Sequence, residues 1–73
     1  MCLAVPAKVI QVNDSHAQVD IIGVKTQINC LLVDHLKVGD KVLVHAGFAI
    51  NKIDDEYFDF LRDTFKSLLG DGP

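Results

Sequence analysis

The chain has 73 residues, of which 49% are hydrophobic and 23% charged, and its formal net charge is −3. That length carries one small domain, which buries only about 60% of the surface its unfolded chain exposes, so a deep cleft walled by its own residues is excluded. The aliphatic content excludes disorder, and the acidic balance argues against a nucleic-acid binder, which needs a basic patch to displace phosphate counterions.

Leu3 to Val12 is rich in Val, Ile and Leu. Pro6 interrupts the run, so Cys2–Val5 is expected as an extended edge segment, with regular pairing from about Ala7. Asn13-Asp14-Ser15 is a turn signal. Ala17 to Ile21 alternates with period two, as a half-buried strand does. Gly23 ends it, and Val24, Thr26, Ile28 and Cys30 then share a face opposite Lys25, Gln27 and Asn29. The two segments form a hairpin. A loop from Asp34 to Asp40 closes on the turn residues Val38-Gly39-Asp40. Lys41 to Ala46 is the most apolar strand and is expected to be central. Gly47 marks a bend or bulge, and Phe48 to Ile53 is a fifth short strand.

The period then changes. Asp54 or Asp55 is a suitable N-cap, and the acids behind it suit the positive end of a helix dipole. Phe58, Leu61, Phe65 and Leu68 recur at helical spacing, with Gly70 as the stop. The acids Asp54, Asp55, Glu56, Asp59 and Asp63 read as its solvated face. Five short strands make an insufficient core alone, so the helix is expected to pack on them. The predicted architecture is one domain over residues 1–73, mainly β. It is a small five-stranded OB-like barrel over about 1–53, followed by a C-terminal α-helix over about 55–69.

Nothing approaches the ~20 apolar residues of a transmembrane helix. The run Leu3–Pro6 is short for a signal peptide and has no basic region before it. A cytoplasmic location is expected, with Cys2 and Cys30 reduced.

Two residues could carry chemistry. Removal of Met1 would leave Cys2 with its thiol beside a free α-amine, and a protonated amine favours the thiolate, which is both nucleophile and metal ligand. A small apolar residue tolerated at position 2 is the plainer reading. His45 lies in the apolar strand on the face opposite Val42 and Val44. A neutral imidazole there could accept a proton, ligate a metal or orient a thiolate; a structural histidine is the alternative. Cys30, on an apolar face, reads as a buried inert thiol, and His16 and His35 as solvated turn residues. No phosphate-binding glycine loop, triad pattern or CxxC spacing is present.

The run Met1-Cys2-Leu3-Ala4-Val5-Pro6-Ala7-Lys8-Val9 closely resembles the N-terminal signature of the hydrogenase maturation chaperones HypC, HybG and HupF. Val44-His45-Ala46-Gly47-Phe48-Ala49-Ile50 resembles that family's internal histidine segment. Ala7 stands where the family usually has glycine. The resemblance covers essentially the whole chain. It implies a non-enzymatic carrier that helps build the Fe(CN)2CO unit of [NiFe] hydrogenases. Such proteins bind the scaffold protein HypD, share the iron with it, and escort the unit to the precursor of the hydrogenase large subunit, in concert with other Hyp proteins. Cys2 matches the family's essential cysteine, a direct iron ligand, and His45 its characteristic histidine, as ligand or orienting group. The edge formed by Cys2, Leu3, Ala4, Val5 and Pro6 is the expected partner contact, since unpaired backbone can be extended by a partner strand. Rival readings are an N-terminal-cysteine enzyme, with His45 as base, and an OB-like adaptor without cargo. Neither nucleic acid nor membrane is an expected partner.

Overall fold

The computed structural model describes residues 4–68. Five strands, β1 (Val5–Asn13), β2 (His16–Ile21), β3 (Val24–Asn29), β4 (Lys41–His45) and β5 (Phe48–Ile53), precede one helix, α1 (Asp55–Leu68). The strands close into a barrel in the order β1-β2-β3-β5-β4. All pairings are antiparallel except β3 with β5, which meet at the single pair Asn29↔Phe48. The OB-like barrel with a C-terminal helix is therefore the observed architecture. No helix among the described residues is long and apolar enough to cross a membrane.

Strand alternation sets the core. Ala7, Val9, Ala17, Val19, Ile28, Val42, Val44 and Ala49 point inward and are almost wholly buried, and Cys30 joins them just past β3. A five-stranded barrel is narrow, so its interior alternates small and larger residues. Each fully buried Val or Ile contributes about 1.5–3 kcal/mol. Cys30 is buried as expected, and its thiol faces the Asp14 carbonyl oxygen at 3.9 Å.

Regular pairing of β1 begins earlier than the proline predicts. Val5 already opposes Val44, and Pro6 opposes Leu43. The reason is that β1 changes partner along its length. Its first half pairs with β4 up to Lys8, and its pairing with β2 starts at Lys8 and runs to Asn13. Pro6 therefore sits where the β2 side of the strand carries no ladder, so its missing N–H costs no bond there. Alternation turns Pro6 outward, yet it is fully buried. The face it occupies is the one α1 covers, since the helix packs against β1 and β4.

Two β-bulges interrupt the ladders. Val9↔Val19 is followed by Gln11↔Gln18, which leaves Ile10 as the extra residue of β1. Val44↔Ala49 and Leu43↔Asn51 leave Ile50 extra in β5. A bulge shifts side-chain parity by one. Val9 is inward, and after Ile10 it is Val12 rather than Gln11 that packs on the core. The bend or bulge expected at Gly47 is a bend, a two-residue hairpin turn. His45 opposes Phe48, and Ala46 and Gly47 have φ of 53° and 85°. Positive φ at both positions matches the right-handed twist of the flanking strands. The β2–β3 turn is built likewise from Ile22 (φ 48°) and Gly23 (φ 89°). Val24, expected on the buried face, lies at this hairpin tip and is 63% exposed, because the barrel wall ends before it.

The β3–β4 connection runs from Cys30 to Asp40. Val33 and Leu36 pack on the core. Asp40 fastens the loop: its carboxylate accepts from the Lys37 N–H at 2.9 Å and lies 3.3 Å from the Lys52 ammonium. Lys52 also donates to the His35 carbonyl at 2.8 Å. The Lys37 backbone bond first, and the Lys52 charge with it, hold the Asp40 carboxyl below its ordinary range, against a smaller opposing effect of burial.

Asp54 is the N-cap of α1, its side-chain oxygen accepting from the Tyr57 N–H at 2.7 Å. Phe58 is the helix's buried anchor, with the Lys41 ammonium 5.8 Å and the Arg62 guanidinium 5.6 Å from its ring centre. Leu61 and Phe65 are half-buried. Leu68, expected in the packing stripe, is exposed, since the helix outruns the barrel it lies on. Leu69 and the expected stop at Gly70 lie outside the described residues.

Candidate functional site at the β4–β5 turn

The apolar alternation of β4 points Val42 and Val44 inward and turns His45 outward, half-buried. His45 ends the strand because Ala46 and Gly47 reverse the chain. The turn is pinned from the side, where the Gly47 carbonyl accepts from the Asn29 N–H at 2.9 Å. His45 thus sits on a hairpin fixed to a third strand. Among the described residues its ring makes no side-chain hydrogen bond or ion pair.

The first described strand residue reaches the same place. Val5↔Val44 puts the start of β1 one register step from His45. Ala4 and Val5 are both half-buried there. Cys2 and Leu3, the other expected partner-contact residues, lie outside the described residues. Pro6, expected to meet a partner, has its ring buried on the helix-covered face. Its contribution is a fixed φ that extends the chain as it enters β1.

Register adds residues that sequence reasoning missed. His45 pairs with Phe48, Phe48 with Asn29, Asn29 with His16, and His16 with Asn13. Each neighbours an inward residue along its strand, so the five form one outward row across the barrel. The row has no side chain charged at neutral pH apart from any imidazolium, and Phe48 is 42% exposed. The Asn29 amide oxygen is engaged locally, accepting from the Leu31 N–H at 2.8 Å. The hairpin halves of this row follow from the turn residues; the parallel closure that joins them has no local signal. A second outward row is charged throughout: Lys25, Asp20, Lys8 and Lys41.

Among the described residues no three His, Cys, Asp or Glu side chains gather as a metal site. What the described part supplies is one imidazole beside the place where the N-terminal segment enters the barrel. An imidazole so placed can ligate a soft metal centre or hold a thiolate by hydrogen bonding.

The described residues form a small closed barrel with a helix after its last strand and a histidine hairpin beside its first strand. The family model described as HupF/HypC family matches residues 1–64, so the chain belongs to the HupF/HypC family. Relatives include the hydrogenase maturation factor HypC of Azotobacter chroococcum mcd 1, 45% identical over 56 residues, or 75% of this chain and 67% of that protein. The HypC of Cupriavidus necator strain H16 is 46% identical over 57 residues, 77% of this chain and 63% of its own length. The Escherichia coli K12 HypC is 32% identical over 74 residues, covering 93% of this chain and 79% of the relative. This chain thus spans about two thirds of the length of the first two relatives. It is a hydrogenase maturation factor by family, and a chaperone role follows from that membership.

Proposed function

We propose that this chain is a cytoplasmic, non-catalytic carrier of the Fe(CN)2CO unit of [NiFe] hydrogenases. With the scaffold HypD it holds the iron cargo, and it then passes the unit to the hydrogenase large-subunit precursor. Cys2 binds the iron as thiolate, and His45 ligates it or orients the thiolate. Cys2, Leu3, Ala4 and Val5 form the partner contact.

The observation that supports this most is the pairing Val5↔Val44, which brings the chain into the barrel beside His45. The two segments that resemble the family's signatures lie far apart in sequence, and this pairing makes them neighbours. Cyanide, carbon monoxide and thiolate all suit low-spin iron, and a soft thiolate is a suitable carrier ligand. A carrier must also release its cargo. One thiolate, with remaining ligands from a partner, releases more readily than a closed cage.

The test is infrared spectroscopy of protein purified anaerobically with its co-expressed maturation partners. Wild type should show cyanide and carbonyl stretches, and Cys2→Ala should lose them. Equal bands in both would move the iron ligand away from Cys2. No bands in either, with the partner demonstrably bound, would reduce the chain to an adaptor. His45→Gln should weaken the bands while the far-ultraviolet circular dichroism of the barrel stays unchanged.

A further inference from the structure

A depression on the described surface lies away from the His45 hairpin. It measures about 560 Å³ and is open to solvent. Its floor is β1 at Lys8, Val9 and Ile10, and its walls are the β2–β3 turn at Gly23 and the loop turn at Val38-Gly39. The Ile10 bulge creates the floor by turning an extra isoleucine outward, 38% exposed. The loop turn is held in place by β1 itself: Gly39 N–H donates to the Val9 carbonyl at 2.9 Å and Val9 N–H to the Asp40 carbonyl at 2.8 Å. These two bonds tie the Val38-Gly39 wall to the floor, and such a volume lies in the range of ligand pockets, roughly 300–1,000 Å³.

Its surroundings are unusual for a solvated groove. Ile10, Val24 and Val38 are all exposed around it. The β2–β3 tip also spends backbone strain on an apolar residue: Ile22 has φ 48°, where a β-branched side chain is an outlier and Asn or Gly would be unstrained. Lys8 and Lys25 line the depression with Asp20 between them, all in one register row. Among the described residues neither lysine takes part in an ion pair, whereas Lys41 and Lys52 both do. The local balance is one positive charge on a chain of net charge −3. Lys8 and Lys25 stand two strand spacings apart, about 9.6 Å between backbones, which brackets a short stretch of extended peptide.

We infer that this depression is a second docking site, which takes an extended acidic peptide segment of a partner protein: a large apolar side chain enters over Ile10 between Gly23 and Val38, and flanking carboxylates meet Lys8 and Lys25. The site is independent of the Cys2–His45 region and of any iron cargo.

The probe is a phage-displayed library of random dodecapeptides, selected on the immobilised 73-residue protein and then synthesised for binding and amide-shift mapping by NMR. The expected result is a consensus of one large aliphatic or aromatic residue with Asp or Glu on either side. Its peptides should shift the amides of Lys8–Ile10, Gly23–Lys25 and Gly39, and bind more weakly as salt is raised. The double variant K8E/K25E should lose at least ten-fold in affinity while keeping the wild-type fold, and Val38→Asp should do the same from the opposite wall. No enrichment above an unrelated barrel would overturn the proposal. So would a consensus without acids, or shifts confined to the His45 row.

Discussion

Ala46 and Gly47 show how a single backbone angle positions the histidine. Both take positive φ, but only glycine does so without steric cost. Replacing Ala46 by glycine should therefore raise stability by about 0.5–1 kcal/mol in urea titration, with His45 unmoved. Gly47→Ala should do the reverse. A Cβ at Gly47 meets nothing within 4 Å, so the loss is backbone strain alone, about 1 kcal/mol. Asp40 acts through charge. Its carboxyl is held below the ordinary range, so the folded state gains from its ionised form. That gain is complete above the unfolded carboxylate value, near 4, and fades as pH falls through the lower folded value. Asp40→Asn should lower the urea midpoint at pH 7, and the gap to wild type should narrow steadily below pH 4.

At the scale of elements, the bulges and the helix govern what each strand presents. Deleting Ile10 would remove the bulge while leaving Gln11 outward against Gln18 and Val12 inward against Ala17, so the register of β1 with β2 would survive. That deletion should therefore keep unfolding cooperative, as should Ile10→Thr, which retains the bulge; loss of the cooperative transition in either variant would show that the core depends on Ile10 itself. Phe58 anchors α1, and Phe58→Ala should cost about 3 kcal/mol, read as a fall in melting temperature. Removing α1 altogether would also bare Pro6 and Leu43, so binding tests on such a truncation need the fold verified first.

The strands and helix were legible in the sequence because period and turn residues are local signals. β5 spans Phe48–Ile53, the fifth short strand expected after Gly47, and Asp54 caps α1 where an acidic cap stands before a helical repeat. The bulges were not legible. An extra isoleucine looks like any other apolar strand residue until a partner's register is known. The early pairing of Pro6 was hidden for a related reason: a proline signals an edge, but not that β1 has different partners on its two halves. Within the candidate site, His45's outward direction followed from parity. Its neighbours Phe48, Asn29 and His16 needed the closed sheet.

At the scale of the whole molecule, the outer surface is divided by register. One row around the barrel is uncharged and includes His45; another is charged and borders the apolar depression. For the proposed carrier role, the two rows supply separate handles, one for the proposed cargo site and one for holding a partner. K8E/K25E should accordingly leave unchanged the cyanide and carbonyl bands that the proposed function expects of the wild type, while changing which partner peptides are retained. Combined with Cys2→Ala, the two effects should add without coupling, since the sites share no residue.

The division of β1 between two partners also sets the order in which the barrel assembles. The hairpins β2–β3 and β4–β5 join neighbours in sequence, and such hairpins form in about 1–10 μs. Val5↔Val44 and Asn29↔Phe48 are different, for each must first close a long loop. The first half of β1 is therefore a late arrival in folding. Slow folding mutants should cluster at its contacts with β4, and the histidine hairpin should be complete before the N-terminal segment comes to lie beside it.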